Sequence, residues 1–418
     1  MTAQAPTDRI ATIDVVRGVA VLGILLPNIV AFAMPSYAYL DPTVYGGAEG
    51  ANWWAWAVTF VVADGKMRGL FTLLFGASTV LIAERAAAGG GRPVFVHYAR
   101  MISLLAIGMV HAYLIWSGDI LVLYAICGAV AFVAWRWDVS RLLAIAALLM
   151  VAQLASGVMD HSAARYFEAR ATAADAASDV REKWATYQAG IADVHRKASA
   201  EVAAFGEGWR KAASMRVSLT WDSHRNVLPR TIPETLALML AGMALYRSGF
   251  FHGRWPRQQQ RAVLLLGFGI GLPSYALVAW WISASGFDPI TLLLTEPLHL
   301  VLLRPAVTLA YATATIWLVQ SGALPRLAER LAAVGQMALS NYLGTSLICT
   351  YLFHGYGLGW FGALERWQLY PVVAAVWIAI ICWSKPLLAR FGQGPAEWAW
   401  RAASARIAAL MRRAAPLG

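Results

Sequence analysis

The chain has 418 residues, of which 59% are hydrophobic and only 14% charged. An average soluble domain carries roughly 25% charged residues, so a water-soluble globule of this size is excluded by its lack of polar surface, and lipid is the solvent the composition fits. A net charge of +11 raises nucleic acid as a partner, but the basic residues recur in every second loop instead of forming one patch, which argues against it.

A helical crossing needs about 20 apolar residues. Such stretches fall at 14–34, 67–84, 100–117, 119–137, 139–158, 231–250, 261–284, 301–320, 331–353 and 369–390. They predict an all-α, polytopic transmembrane helical bundle of about ten spans, since only helices satisfy their own backbone at depth. Trp53, Trp54, Trp56, Trp116, Trp135, Trp137 and Trp367 fall near the predicted interfaces, as an aromatic belt requires.

The first apolar run, from Gly18 to Ala31-Phe32-Ala33, has the small-residue ending of a cleavable signal peptide. Asp8 and Asp14 offset Arg9 and Arg17, however, so the positive leader is missing and the run reads as the first span. Asp14 and Arg17 lie one turn apart and can pair. Pro27 removes a backbone hydrogen bond beside Asn28, and Asn28 lies about 16 Å beyond Arg17 at helical rise, near the midplane. A kinked helix with a buried amide suits helix packing or a ligand site.

Trp53–Val62 is too short to span and reads as an interfacial or folded-back segment. The charged, glycine-flanked Asp64-Gly65-Lys66-Met67-Arg68-Gly69 opens the second span. His111 lies eleven residues from Arg100 at the basic end of the third span, at the depth of Asn28. It is a hydrogen-bonded structural histidine or a general acid–base group. Asp119, after a turn, caps the next helix or takes part in the same chemistry.

The stretch from Asp160 to Arg230 lacks a long apolar run and is rich in Ala, Asp, Glu, Arg and Lys. It predicts a helical or partly disordered extracytoplasmic loop between two five-helix halves, 1–159 and 231–401, with a basic tail at 402–418. Thr231-Ile-Pro-Glu234 has capping-box spacing and marks the next helix start. Glu296 and His299 open a later helix with Arg304 just inside it, and Ser340, Asn341 and Thr345 give another a polar patch suited to interhelical hydrogen bonds.

Arg85, Arg92 and Arg100; Arg136 and Arg141; Arg247, Arg254, Arg257 and Arg261; Arg326 and Arg330; and the tail arginines all fall in alternate loops. The positive-inside rule makes those loops, and both termini, cytoplasmic. Cys127, Cys349 and Cys382 sit inside predicted helices, where a thiol is a small hydrophobe. No metal-ligand spacing, phosphate loop or nucleophile elbow is present.

The motifs IDVVRG, GKMRGLFTLLFGAS, MVHAYLIWSGDILVLYAICG, VGQMALSNYLGTSL and GPAEWAWR occur in the order seen in the YeiB family of bacterial inner-membrane proteins, which the chain resembles from residue 13 to 401 outside the 160–230 loop. The second half resembles the domain of unknown function numbered 418. Pro27 and Ser340 stand where the family pattern has an aliphatic residue and a threonine. The N-terminal half is similar to the transmembrane acyltransferases that include the lysosomal heparan glucosaminide acetyltransferase, which use cytoplasmic acetyl-CoA to acylate a sugar on the far side.

That resemblance implies an acyl transfer from acetyl-CoA or another acyl-CoA to a sugar, lipid or other small acceptor, without a metal. His111 would be general base or transient acyl carrier, with Asp119 its partner. Asn28 would orient or stabilise the oxyanion, and Arg17 would meet the CoA phosphates. Asp14, Lys66, Arg68, Asn341 and Glu296 complete the candidate substrate-binding set. A secondary carrier would use the same buried polar residues to coordinate its substrate, and a non-catalytic scaffold would tolerate their loss. Gly18, Ala20, Gly23, Gly267 and Gly271 permit close helix packing within one chain or in a homodimer.

Overall fold

The computed structural model describes residues 11–414, and every regular element among them is a helix. Asp8, Arg9 and the last four residues of the basic tail lie outside the described residues. The first half comprises α1 (Ala11–Ala33), α2 (Gly50–Val62), α3 (Lys66–Ala88), α4 (Pro93–Val110), α5 (Leu121–Ala131) and a long α6 (Val139–Thr172). Three shorter helices follow, α7 (Ser178–Ala192), α8 (Val194–Gly206) and α9 (Trp209–Asp222). The second half comprises α10 (Leu228–Arg247), α11 (Arg257–Leu264), α12 (Leu272–Ala284), α13 (Pro289–Leu298), α14 (Arg304–Ser321), α15 (Pro325–Gln336), α16 (Ala338–Phe353), α17 (Leu369–Phe391) and α18 (Pro395–Ala414).

Each of the expected spans contains a helix, and the protein is a helical membrane protein. Seven helical segments among the described residues are long and apolar enough to cross a bilayer: Thr12–Ala33, Gly50–Ala88, Pro93–Ile115, Val139–Thr172, Arg257–Ala284, Pro289–Ser321 and Arg366–Phe391. The other three expected spans coincide with α5, α10 and the α15–α16 pair, which are shorter, more polar or broken at Met337. The physical reason is location. α10 buries Glu234, Thr235 and most of the residues after them against α3, α5 and α6, so its sequence need not be soluble in hydrocarbon. The lipid-facing α6 is the opposite case, with 11% of its apolar window buried.

Two pairs of glycines set the tightest approaches. A Cβ added at Gly76 would lie 1.9 Å from the Met239 carbonyl oxygen, and one at Gly242 would lie 1.9 Å from that of Leu73, so α3 and α10 touch backbone to backbone. Gly18 and Gly335 do the same for α1 and α15, at 2.0 Å from Leu331 O and 1.9 Å from Asp14 O. Gly23, Gly267 and Gly271 are also spent inside the chain, against Met67, Ala306 and Val307.

The GPAEWAWR and VGQMALSNYLG motifs meet each other. Glu397, in the first turn of α18, accepts from Leu339 N at 2.7 Å, Ser340 N at 3.1 Å and Ser340 Oγ at 2.5 Å, capping α16 from outside its own sequence. Ser340 Oγ accepts in return from Ala396 N at 3.0 Å.

α6 runs unbroken to Thr172, so the expected boundary at 159 falls within a helix that continues past the bundle. The segment beyond it is a helical cap, tied down by polar contacts. Arg216 Nη1 donates to Leu114 O at 2.9 Å and Thr220 Oγ1 to Ala112 O at 2.9 Å. These carbonyls are free because α4 ends in a π-helical turn, His111–Ile115, with no following turn to bond them. Glu201 accepts from Ser36 N at 2.8 Å and Ser36 Oγ at 2.7 Å. Phe205 stacks on His354 at 4.5 Å, and Gly355 N donates to Phe205 O at 2.7 Å.

Replacing Gly76 by Ala inserts a methyl where a carbonyl oxygen already sits, and is expected to cost about 1–3 kcal/mol; a lowered melting temperature of the detergent-purified variant checks it, and an unchanged one would contradict the backbone contact. Burial, followed by the Arg216 guanidinium, pushes the His354 imidazole from 6.5 down to about 3. The unfolded chain therefore takes up this proton first. Its stabilising contribution is present above 6.5 and is lost as pH falls towards 3. Wild type should lose more thermal stability between about pH 7.5 and about pH 4.5 than His354→Phe does, and equal losses would show that this imidazole is not a source of the pH dependence.

Candidate functional site

Gly65 adopts φ 68°, which ends α2 and starts α3, and its missing Cβ leaves room for a guanidinium: an added Cβ would lie 2.3 Å from Arg304 Cζ. The turn directs Lys66 inward, where Nζ donates to Phe60 O at 2.5 Å and sits 3.1 Å from the centre of the Tyr275 ring. Two residues along α3, Arg68 Nη2 donates to Glu234 Oε2 at 2.5 Å and Nη1 to Thr235 Oγ1 at 3.3 Å. Arg304 Nη1 donates to the other Glu234 oxygen at 2.6 Å. Glu234 is 2% exposed and Arg304 5%, so this is a buried arginine–carboxylate–arginine bridge joining α3, α10 and α14.

The bridge forms the floor of a cavity of about 930 Å³ at the cap end of the bundle. Asn28, Asp64, Arg68, Glu234, His299 and Arg304 line its depth; Tyr39, Trp56 and Phe60 form an aromatic wall. Asp64 accepts from Tyr39 OH at 2.6 Å. Glu296 also lines the cavity, is exposed to it, and has no hydrogen-bond or ion-pair partner among the described residues. Two buried nitrogens of lining residues, His299 Nδ1 and Arg304 Nε, have no partner either. From α6, Ala152 and a helical i, i+3, i+4, i+7 stripe of Gln153, Ser156, Gly157 and Asp160 line the cavity, so that Gln153, Ser156 and Asp160 make the inner face of this lipid-exposed helix polar.

A second constellation stands behind the cavity wall. The π-helical end of α4 and the turn at Trp116–Ile120 bring Asp119 back against His111. Asp119 Oδ2 accepts from Val122 N at 2.8 Å, capping α5, and Oδ1 lies 2.7 Å from His111 Nδ1. His111 Nε2 lies 2.9 Å from Ser346 Oγ on α16. A carboxylate oxygen is an acceptor, so the proton belongs on Nδ1; the single Ser346 hydroxyl proton has two acceptors in reach, Tyr342 O at 3.1 Å and Nε2, and a neutral His111 takes it at Nε2. The His111 and Asp119 side chains are 0% and 1% exposed. Gly118 and Ile120, on either side of Asp119, line the cavity.

The structure thus brings Asn28, Arg68 and Glu296 to one cavity and sets His111 and Asp119 behind one wall of it. Lys66 lies behind another wall. Arg17 and Asp14 lie towards the opposite, basic end. Arg17 Nη1 donates to Asp14 Oδ1 at 3.1 Å and Nη2 to Ser78 Oγ at 3.3 Å, bridging α1 and α3. Asn341 Nδ2 donates to Val334 O at 3.1 Å and Ser384 Oγ at 3.0 Å, and its Oδ1 accepts from Trp383 Nε1 at 2.8 Å, tying α16 to α17. No group of three His, Cys, Asp or Glu among the described residues is arranged to hold a metal.

Sequence reasoning missed Ser346 and the buried partnership of Glu234. The Thr231–Glu234 capping box is corrected: α10 begins at Leu228, and Thr231 Oγ1 donates to Leu228 O at 2.9 Å inside the helix. Two guanidinium groups in a low-dielectric interior hold the carboxylate more strongly than a terminal amide would. The α6 stripe was legible as polar residues at helical spacing on the most apolar span.

Replacing Glu234 by Gln leaves the buried Arg304 and the part-buried Arg68 without this counter-ion and is expected to cost roughly 3–5 kcal/mol. The melting temperature in detergent should fall accordingly. The double replacement Glu234→Leu with Arg304→Leu should fall less than Glu234→Gln, because it removes buried charge instead of stranding it.

Residues 245–406 match the family model described as a protein of unknown function, DUF418. The chain is 32% identical over 410 residues to "Uncharacterized protein YeiB" of Escherichia coli (strain K12), covering 96% of this chain and 97% of that one. It is 28% identical over 432 residues to "Uncharacterized protein YxaH" of Bacillus subtilis (strain 168), covering 97% of both. No solved structure matches it.

Proposed function

The chain belongs to the YeiB family, and from that premise we propose that it is a multi-pass inner-membrane acyltransferase, carrying an acyl group from cytoplasmic acyl-CoA to an acceptor held in the cavity. With the basic loops and both termini cytoplasmic, the cavity opens on the outer side. The observation that carries this reading is the Ser346–His111–Asp119 hydrogen-bond chain beside the cavity. An imidazole with one nitrogen fixed on a carboxylate and the other on a hydroxyl is an oriented base, which transfer chemistry needs and passive coordination does not.

In this reading Asp119 holds the tautomer and stabilises the imidazolium. Neither His111 nor Ser346 lines the cavity, so transfer in this reading requires the wall at Gly118 and Ile120 to open; His111 then takes the acceptor's proton through Ser346 Oγ as the new acyl bond forms and returns it to the thiolate as the thioester C–S bond breaks. Asn28, in the cavity and without a hydrogen-bond partner among the described residues, donates to the carbonyl oxygen as charge builds on it. At the opposite end Arg17 lies within electrostatic reach of Arg100, which is itself within reach of Arg401, a basic group suited to the donor's phosphates. The likeness of IDVVRG and the HAYL stretch to transmembrane acyltransferases supports the same assignment. A carrier is the second reading, favoured by the charged floor around Glu234.

Purified protein in detergent should bind acetyl-CoA or a longer acyl-CoA saturably. Arg17→Ala should weaken that binding, whereas His111→Ala should keep it and lose transfer by roughly 100- to 10,000-fold. Failure to bind any acyl-CoA would overturn the acyltransferase and leave the carrier.

A further inference from the structure

The cavity is lined by groups of both charges. Arg68 and Arg304 share the single carboxylate of Glu234, which has already committed one oxygen to each. Arg304 Nε and His299 Nδ1 remain without partners among the described residues although both residues are 5% exposed. An Arg Nε–H is an obligate donor; the atom is sealed from solvent, but Arg304 lines the cavity, so a small shift of its guanidinium presents that unmet donor to an acceptor arriving with a ligand. Two arginines and an imidazole together select an oxyanion. One helical turn before His299, Glu296 presents to the same cavity a carboxylate with no hydrogen-bond or ion-pair partner among the described residues, and a carboxylate accepts only from donors, best from an ammonium group.

We propose that the ligand of this cavity is a zwitterion joining an oxyanion to a primary amine, of the phosphoethanolamine class, with its oxyanion on Arg68, Arg304 and His299 and its amine on Glu296. This rests on the acyltransferase reading in one respect: the amine, once its ammonium form has given one proton to Glu296, is then the nucleophile whose new N–C bond replaces the thioester C–S bond, its second proton leaving on the thiolate. The cavity, at about 930 Å³, is far larger than so small a headgroup requires. Its α6 wall is the polar inner stripe of a helix whose other face, with Leu148, Val151 and Met159 exposed, meets lipid. One helix therefore separates the site from the bilayer, and the volume beyond the headgroup suits a glycerol backbone. The same zwitterion is available as a soluble ester, and the two sources are separated below.

The test is native mass spectrometry of the full-length protein in detergent with phosphatidylethanolamine and phosphatidylglycerol, and with soluble glycerophosphoethanolamine as competitor. Wild type should retain phosphatidylethanolamine about tenfold better than phosphatidylglycerol, which has the phosphate but no amine. Glu296→Gln, a change at a cavity-exposed position that leaves melting unaltered, should abolish the preference, and Arg68→Gln should weaken both lipids. Displacement by the soluble ester identifies a soluble zwitterion as ligand; resistance to it identifies the lipid. Equal binding of the two lipids, a preference that survives Glu296→Gln, or no binding at all would overturn the proposal. Acyl-CoA binding is measured on the same preparation. If it is present without the lipid preference, the acyltransferase stands and the zwitterion fails; if the preference is present without acyl-CoA binding, the site is that of a carrier.

Discussion

The Glu234 carboxylate takes one arginine on each oxygen, and three helices meet around it in an interior where a lone charge has no solvent to turn to. Gly65 admits the Arg304 guanidinium, and the glycine contacts of Gly76 and Gly242 bring α3 and α10 close enough for Arg68 to reach Glu234. Coulombic attraction in a low dielectric then holds the α3–α10–α14 junction rigid. The same bridge lines the cavity with its guanidinium groups. The interaction that secures the fold at the cap end also makes the floor of the site polar.

A second dependence links the cap to His111. The π-helical turn that ends α4 orients the imidazole towards Asp119 and Ser346, and it exposes the carbonyls of Ala112 and Leu114. Those carbonyls are met by Thr220 and Arg216 of the cap. The segment outside the bundle therefore stabilises the backbone geometry on which the imidazole's position relies, and Glu201 and Phe205 anchor it to α1's exit and to the loop after α16. A cap with this many specific polar ties is part of the framework of the site.

The long motifs shared with the YeiB family have separate physical duties. IDVVRG and VGQMALSNYLG form the α1–α15 close contact through Gly18 and Gly335, and GPAEWAWR caps α16 through Glu397. GKMRG builds the cavity floor, and HAYLIWSGD supplies the histidine, the turn and the capping aspartate. Arg17, the arginine of IDVVRG, spans from Asp14 to Ser78 near the basic end.

Composition and periodicity alone determined that this is a helical membrane protein, where its apolar helices lie, that Asn28 and His111 are polar groups within spans, and that Arg68 and Glu296 stand at helix openings. These are properties of single segments, because a hydrocarbon solvent imposes length and apolarity on each span independently. Which polar groups meet was decided only by the tertiary structure. Glu234 has the sequence context of a helix cap yet pairs with arginines 166 and 70 positions away, and Ser346 joins His111 across 235 positions. Helix packing brings such distant residues together, and their spacing in the chain carries no record of it.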